Sequence, residues 1–221
     1  MLGADRLPHT TPYFCKSRFL PKTKNKVRAT LTALRLSRSC PAITEITNNL
    51  NMAHLDYVPT MLAYGFRKNA CGLISGTAIA TEFLGSCMNL REYLELYPDK
   101  RESIITSALS LISIKLKDEV FHLDFWLENI LIDRETAQLW LIDLEYCRFK
   151  SSTSYQDQLS FCLGYFYHCR LNEYISSESY FTIVESWLAE KMDSNHAKEI
   201  LSNAVNHSVI SMNRRTRMAR F

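Results

Sequence analysis

Phe121-His122-Leu123-Asp124-Phe125-Trp126-Leu127-Glu128-Asn129, followed by Leu141-Ile142-Asp143, is the stretch on which the fold turns. It reads H-x-D-x-x-x-x-N, then an apolar run Ile130-Leu131-Ile132, a polar turn Asp133-Arg134-Glu135-Thr136, and a second run Leu139-Trp140-Leu141-Ile142 ending in Asp143. Two short β-type runs joined by a polar turn predict a hairpin that gathers Asp124, Asn129 and Asp143. A carboxylate that orients and deprotonates a hydroxyl, with an amide and a second carboxylate to hold Mg²⁺, is the equipment phosphoryl transfer requires. The plainer alternative is a buried hairpin whose Asp and Asn only cap turns. It leaves Asp143 unexplained, because the second run ends there without Gly, Pro or Asn.

Working outward, the 221 residues are 47% hydrophobic and 22% charged, which suits one compact domain with a sizeable core. No apolar run reaches the roughly 18 residues of a membrane-spanning helix. Met1 to Thr10 lacks an apolar core of the signal-peptide kind, so secretion is not expected. Seven cysteines form no C-x-x-C pair, which predicts reduced, mostly core-filling thiols and a cytoplasmic protein.

The net charge of +3 is unevenly spread. Lys16, Arg18, Lys22, Lys24, Lys26 and Arg28 cluster near the front, and Arg214, Arg215, Arg217 and Arg220 near the end. Either these are solvated faces, or they meet something anionic such as nucleotide phosphates, a membrane surface or an acidic glycolipid. Nucleic acid is not expected, since no base-stacking aromatics interleave with them.

The remaining elements follow from periodicity and punctuation. Tyr13–Lys16 reads as a strand, Lys22–Lys26 as a polar loop and Val27–Leu36 as a helix. Pro41 opens a helix carrying Glu45; Met61–Phe66 and Leu73–Phe83 read as strands. Asn89 caps a helix through Leu96, and Arg101–Leu116 forms a long one. Helices are predicted near 155–170 and 178–192 and from His196 to Val209. The order is strand, helix, two strands, linker, helices, hairpin, helices. It predicts an α+β, protein-kinase-like, two-lobed fold with a shortened N-terminal lobe and a mostly helical C-terminal lobe. The single domain over residues 1–221 divides into a small lobe at 1–81, a hinge at 82–86 and a large lobe at 87–221.

On that frame Asp124 is the catalytic base, and Asn129 and Asp143 hold the metal. Lys16 grips nucleotide phosphates with Glu45 as its helix partner, and the backbone of Glu82-Phe83-Leu84 reads the adenine edge, placing Glu82 and Leu84 in the nucleotide site. Lys16 as one surface lysine among several, and Glu45 as an exposed helix residue, are the alternatives.

Phe14-Cys15-Lys16-Ser17-Arg18-Phe19-Leu20-Pro21, Glu45 to Leu50, Asp56-Tyr57-Val58-Pro59 with Ala63-Tyr64-Gly65, and Leu141-Ile142-Asp143-Leu144-Glu145 with Arg148 resemble the lipopolysaccharide core kinase family. The similarity runs from about Tyr13 to Trp187. It implies a kinase-like enzyme that uses ATP and Mg²⁺ to phosphorylate a heptose or Kdo hydroxyl of the lipopolysaccharide inner core. It further implies work in the cytoplasm, with peripheral contact at the anionic surface of the inner membrane. The Asp124, Asn129 and Asp143 motifs are shared with aminoglycoside and choline phosphotransferases, so another small hydroxylated acceptor remains open. In such enzymes an aspartate on the helix after the metal loop tethers the catalytic loop, and Asp157 matches it. The chain departs from the family pattern in two places. Fifteen residues with one glycine, Gly3, precede Lys16, so the loop that covers the phosphates is missing or reduced. Leu144-Glu145 stands where protein kinases carry Phe-Gly. The short front is compatible with a truncated start, a weak enzyme or a pseudokinase, so a catalytically weak or dead binding module is the second reading.

Overall fold

The computed structural model describes residues 12–34, 40–213 and 216–217. The chain forms two compact units, one comprising the residues through Gly85 together with Ile142–Glu145, the other Ser86–Leu141 and Tyr146 onward.

In the first unit, β1 (Tyr13–Phe19), α1 (Thr23–Ala33), α2 (Pro41–Asn51), β2 (Met61–Lys68) and β3 (Ile74–Glu82) follow in order. The strands make one antiparallel sheet with β3 in the middle, where Lys16 and Tyr64 both lie opposite Ile79. The Thr30 hydroxyl of α1 accepts the Ile74 N–H at 2.9 Å, closing the helix onto β3. Leu20, Ala29, Cys40, Ala42, Ile43 and Ile74 form the core beneath. α1 begins at Thr23, so Lys22–Lys26 is not the polar loop expected from the sequence. Lys22 and Lys24 are exposed, and solvated lysines tolerate a helix as readily as a loop. Pro41 opens α2 from its first turn, where a missing N–H costs nothing.

The second unit holds β4 (Cys87–Asn89), α3 (Leu90–Leu96), α4 (Arg101–Lys117), β5 (Val120–His122), β6 (Ile130–Asp133), β7 (Leu139–Leu141), β8 (Cys147–Phe149), α5 (Tyr155–His168), α6 (Ser177–Ala189) and α7 (Ser194–Val209). The expected hairpin is β6–β7, with Ile130 opposite Leu141, and β4 adds to its free edge; β5 pairs with β8. Side-chain oxygens of Asn89, Ser154, Ser176 and Asp193 cap α3, α5, α6 and α7. Phe121, Phe125, Phe161 and Phe166 are fully buried between β5 and the helices. Each such ring contributes roughly 1.5–3 kcal/mol relative to exposure.

Gly164 sets the spacing of α5 and α7. A Cβ there would collide with the Ala204 carbonyl and stand 2.6 Å from the His207 Cβ and 2.9 Å from the Ser208 nitrogen. No helix among the described residues is long and apolar enough to cross a membrane. All seven cysteines are free thiols, but only Cys40, Cys147 and Cys162 are buried, so most do not fill the core as the sequence suggested.

Candidate active site

In the first unit the alternation of β1 turns Lys16 and Arg18 to one side of the sheet. The Lys16 ammonium donates to Glu45 Oε1 at 2.6 Å and to Asp143 Oδ1 at 2.9 Å. Arg18 donates to Glu145 Oε2 at 2.7 Å. Glu45 is 6% exposed, not the solvated helix residue of the alternative reading. One turn along α2, the Asn48 side-chain amide donates to the Leu144 carbonyl at 2.6 Å. The helix therefore fixes both Lys16 and the Asp143 loop.

Burial disfavours the Lys16 ammonium, but its bonds to Glu45 and Asp143 outweigh that, and its pKa lies above the ordinary lysine value. Burial pushes the Glu45 carboxyl up against the pull of Lys16, and the net direction is upward. Asp143 has φ +57°, a left-handed conformation that Asp tolerates better than most side chains. It is the break that the sequence marked only as an unexplained end to a strand. The Glu45, Asp143 and Glu145 carboxylates lie within 4.8 Å of one another and share Lys16 and Arg18. Glu82 accepts the Thr60 N–H at 2.6 Å through Oε1, bracing the end of β3 against the approach to β2; Leu84 is half-buried.

In the second unit the loop after β5 carries the expected pair. The Asp124 N–H donates to His122 Nδ1 at 3.1 Å, and the Asn129 amide donates to the Asp124 carbonyl at 2.9 Å. That bond uses Nδ2, while Oδ1 is the atom of this side chain that a hard cation would take. His122 is fully buried, a prop for the loop. The Asp124 carboxylate is 2% exposed. Its Oδ1 accepts from the Tyr165 hydroxyl at 3.3 Å and from Arg217 Nη2. Beneath the loop, Lys115 is fully buried, its ammonium 5.1 Å from the Phe125 ring centre and 3.4 Å from Cys162 Sγ.

Two sequence expectations are corrected here. Asp157 accepts the Ser154 hydroxyl at 2.7 Å in the first turn of α5 and is exposed, so it braces the N-cap of its own helix instead of tethering the catalytic loop. Arg217 is buried against Asp124 and so does not belong to an anion-seeking surface, while Lys16 and Arg18 are each paired with carboxylates but stay about a third exposed. Arg214, Arg215, Arg220 and Gly3 lie outside the described residues. Tyr165 and Arg217 are the partners of Asp124 that the sequence reading missed. The available signal was the absence of any cation in Phe125-Trp126-Leu127-Glu128.

The profile of the lipopolysaccharide kinase (Kdo/WaaP) family matches residues 12–160, about two thirds of the chain. The chain belongs to the lipopolysaccharide kinase family. Among solved structures, WaaP in complex with acyl carrier protein superposes with a TM-score of 0.52 at 18% identity, over 89% of this chain and 76% of that one. The bifunctional kinase-methyltransferase WbdD gives 0.53 at 18%, over 88% of this chain and 41% of that one. These likenesses show the kinase-like α+β fold. No curated protein matches the sequence.

Proposed function

We propose that this lipopolysaccharide kinase transfers the γ-phosphate of ATP, with Mg²⁺, to a sugar hydroxyl of the lipopolysaccharide inner core, working at the cytoplasmic face of the inner membrane. The observation that carries the reading is Lys16, bonded to Glu45 at 2.6 Å and to Asp143 at 2.9 Å. A lysine held charged and aimed by two carboxylates meets the main demand of phosphoryl transfer, which is positioning and charge stabilisation. In this reading Lys16 takes the α- and β-phosphates, Glu45 aligns it, and the main chain at Glu82 and Leu84 takes the adenine edge. Asn129 and Asp143 supply hard oxygen donors to Mg²⁺, which when bound offsets phosphate charge. Asp124 orients the acceptor hydroxyl and receives its proton.

The test is transfer from ATP to purified core oligosaccharide, read by mass spectrometry as added phosphate. Asp124→Asn keeps the size of the side chain and removes its basicity, so turnover should fall roughly 10²-fold or more. ATP affinity should hold. Absence of added phosphate with the wild-type protein, alongside retained ATP binding, would make the chain a pseudokinase. Transfer to a soluble amino-alcohol instead would move the acceptor outside lipopolysaccharide.

A further inference from the structure

We propose that Arg217 is a positioning residue for Asp124, holding the catalytic carboxylate in one orientation through a guanidinium supplied from beyond α7. The inference rests on the reading of Asp124 as the base. A buried carboxylate needs strong donors to stay in place, and here two converge on the same oxygen. Arg217 Nη2 and the Tyr165 hydroxyl both donate to Asp124 Oδ1. Burial pushes the Tyr165 hydroxyl far above the ordinary tyrosine value, so it remains a donor at any working pH.

The guanidinium is itself built in. Its Nη1 donates to the Met212 carbonyl at 2.5 Å, and its carbon lies 4.5 Å from the centre of the Tyr165 ring. The Arg217 N–H donates to the Asn213 carbonyl at 3.1 Å, and the Asn213 side chain accepts the Thr216 N–H at 2.9 Å, so both residues are tied back to Asn213. Arg217 is only 5% exposed, so it is not a solvated arm.

The arrangement answers a gap in the loop. Between Asp124 and Asn129 stand Phe125, Trp126, Leu127 and Glu128, none of them cationic. Among the described residues of this unit, Lys115 and Arg217 are the buried cations. Lys115 faces Cys162 and the rings of Phe121 and Phe125. Arg217, 93 positions after Asp124, is the one that reaches the carboxylate. A planar fork that bonds an oxygen while stacking on a ring restrains orientation in a way a point charge does not.

The experiment measures kcat and the KM for ATP in full-length Arg217→Ala, Arg217→Lys and Asp124→Asn, with melting temperatures for each. For Arg217→Ala, kcat should drop roughly 10–100-fold, the scale of a misplaced reacting group. Its KM for ATP should match wild type. Arg217→Lys should recover part of the loss, and millimolar guanidinium should recover part of it in Arg217→Ala. Wild-type kcat in Arg217→Ala would overturn the proposal, as would a rise in kcat, which would make Arg217 an inhibitory plug. A loss that tracks melting and resists both Lys and guanidinium would reduce Arg217 to a structural prop and overturn it too. Asp124→Asn separates the two levels: if it keeps wild-type turnover the reading of the base fails, whatever Arg217 does.

Discussion

The Lys16 ammonium and the Asp143 carboxylate stand 2.9 Å apart, although 127 positions separate them in sequence. The same ammonium bonds Glu45, so a single residue of β1 ties the helix and the Asp143 loop together. Lys16→Met keeps the apolar stem and removes the charge. It should raise the ATP concentration needed for half-maximal rate and lower turnover. Lys16 is about a third exposed, so the stability loss should be about 1–2 kcal/mol, below the 3–5 typical of breaking a fully buried pair. Urea denaturation and steady-state kinetics check both. Sensitivity at Lys22 or Lys24 with none at Lys16 would sink the assignment.

Asp143 is also the proposed metal ligand. Asn tolerates the left-handed backbone as well as Asp does, so Asp143→Asn isolates the charge. ATP should raise the wild-type melting temperature more with Mg²⁺ than with EDTA. The stabilisation would approach about 2.7 kcal/mol at a hundredfold excess over Kd. The variant should lose the metal-dependent part. Equal shifts with and without Mg²⁺ in the wild type would count against metal-assisted binding.

At the tip of the hairpin, the Ser86 hydroxyl and the main-chain N–H groups of Thr136 and Glu135 pull the Asp133 carboxyl down to about 2 from 3.8. A depressed acid favours the folded state above its unfolded value. That contribution is fully present above 3.8 and is lost as pH falls toward about 2. Carboxyl NMR titration should give a midpoint near the lower value, and the stability gap between wild type and Asp133→Asn should close across this window. A midpoint at the unperturbed value would mean that the turn's hydrogen bonds do not form in solution.

Gly164→Ala should destabilise the second unit by about 1–3 kcal/mol, the usual cost of overpacking. Its Cβ would meet the Ala204 carbonyl and the main chain at Ser208, neither of which is a flexible side-chain end. Because α7 precedes Arg217 in the chain, turnover should fall alongside stability. Denaturant midpoints equal to wild type would show that α5 and α7 separate freely.

The hairpin, α2 and α3 were legible because each is announced locally: alternation with a polar turn, Pro41 at a helix start, and Asn89 as a cap. β4, β5 and β8 were not. Each has three residues and exists because a partner strand lies beside it, which no short window encodes. At the site, the order of motifs singled out Asp124, Asn129 and Asp143 as candidates, and the pairing of Lys16 with Glu45, which followed from the order of elements, is present. Asp157 misled because an aspartate three residues after Ser154 serves its own helix equally well. Arg217 was hidden because an arginine in a basic run looks solvated, and its burial depends on Tyr165 and Asp124, distant in sequence.

The first unit is not contiguous, for Ile142–Glu145 belongs to it while residues 86–141 belong to the other. During synthesis, chains lengthen at about 5–20 residues per second, so several seconds pass between the emergence of Gly85 and that of Asp143. Throughout that interval the residues of β1, α2 and the sheet have been made, but Lys16 lacks one of its carboxylates and Asn48 lacks the Leu144 carbonyl. Its last stabilising piece arrives only after the hairpin of the second unit has been translated. A polypeptide released at Gly85 is thus an unfinished product, and ribosome-bound chains stalled before and after Glu145 should differ in their resistance to protease.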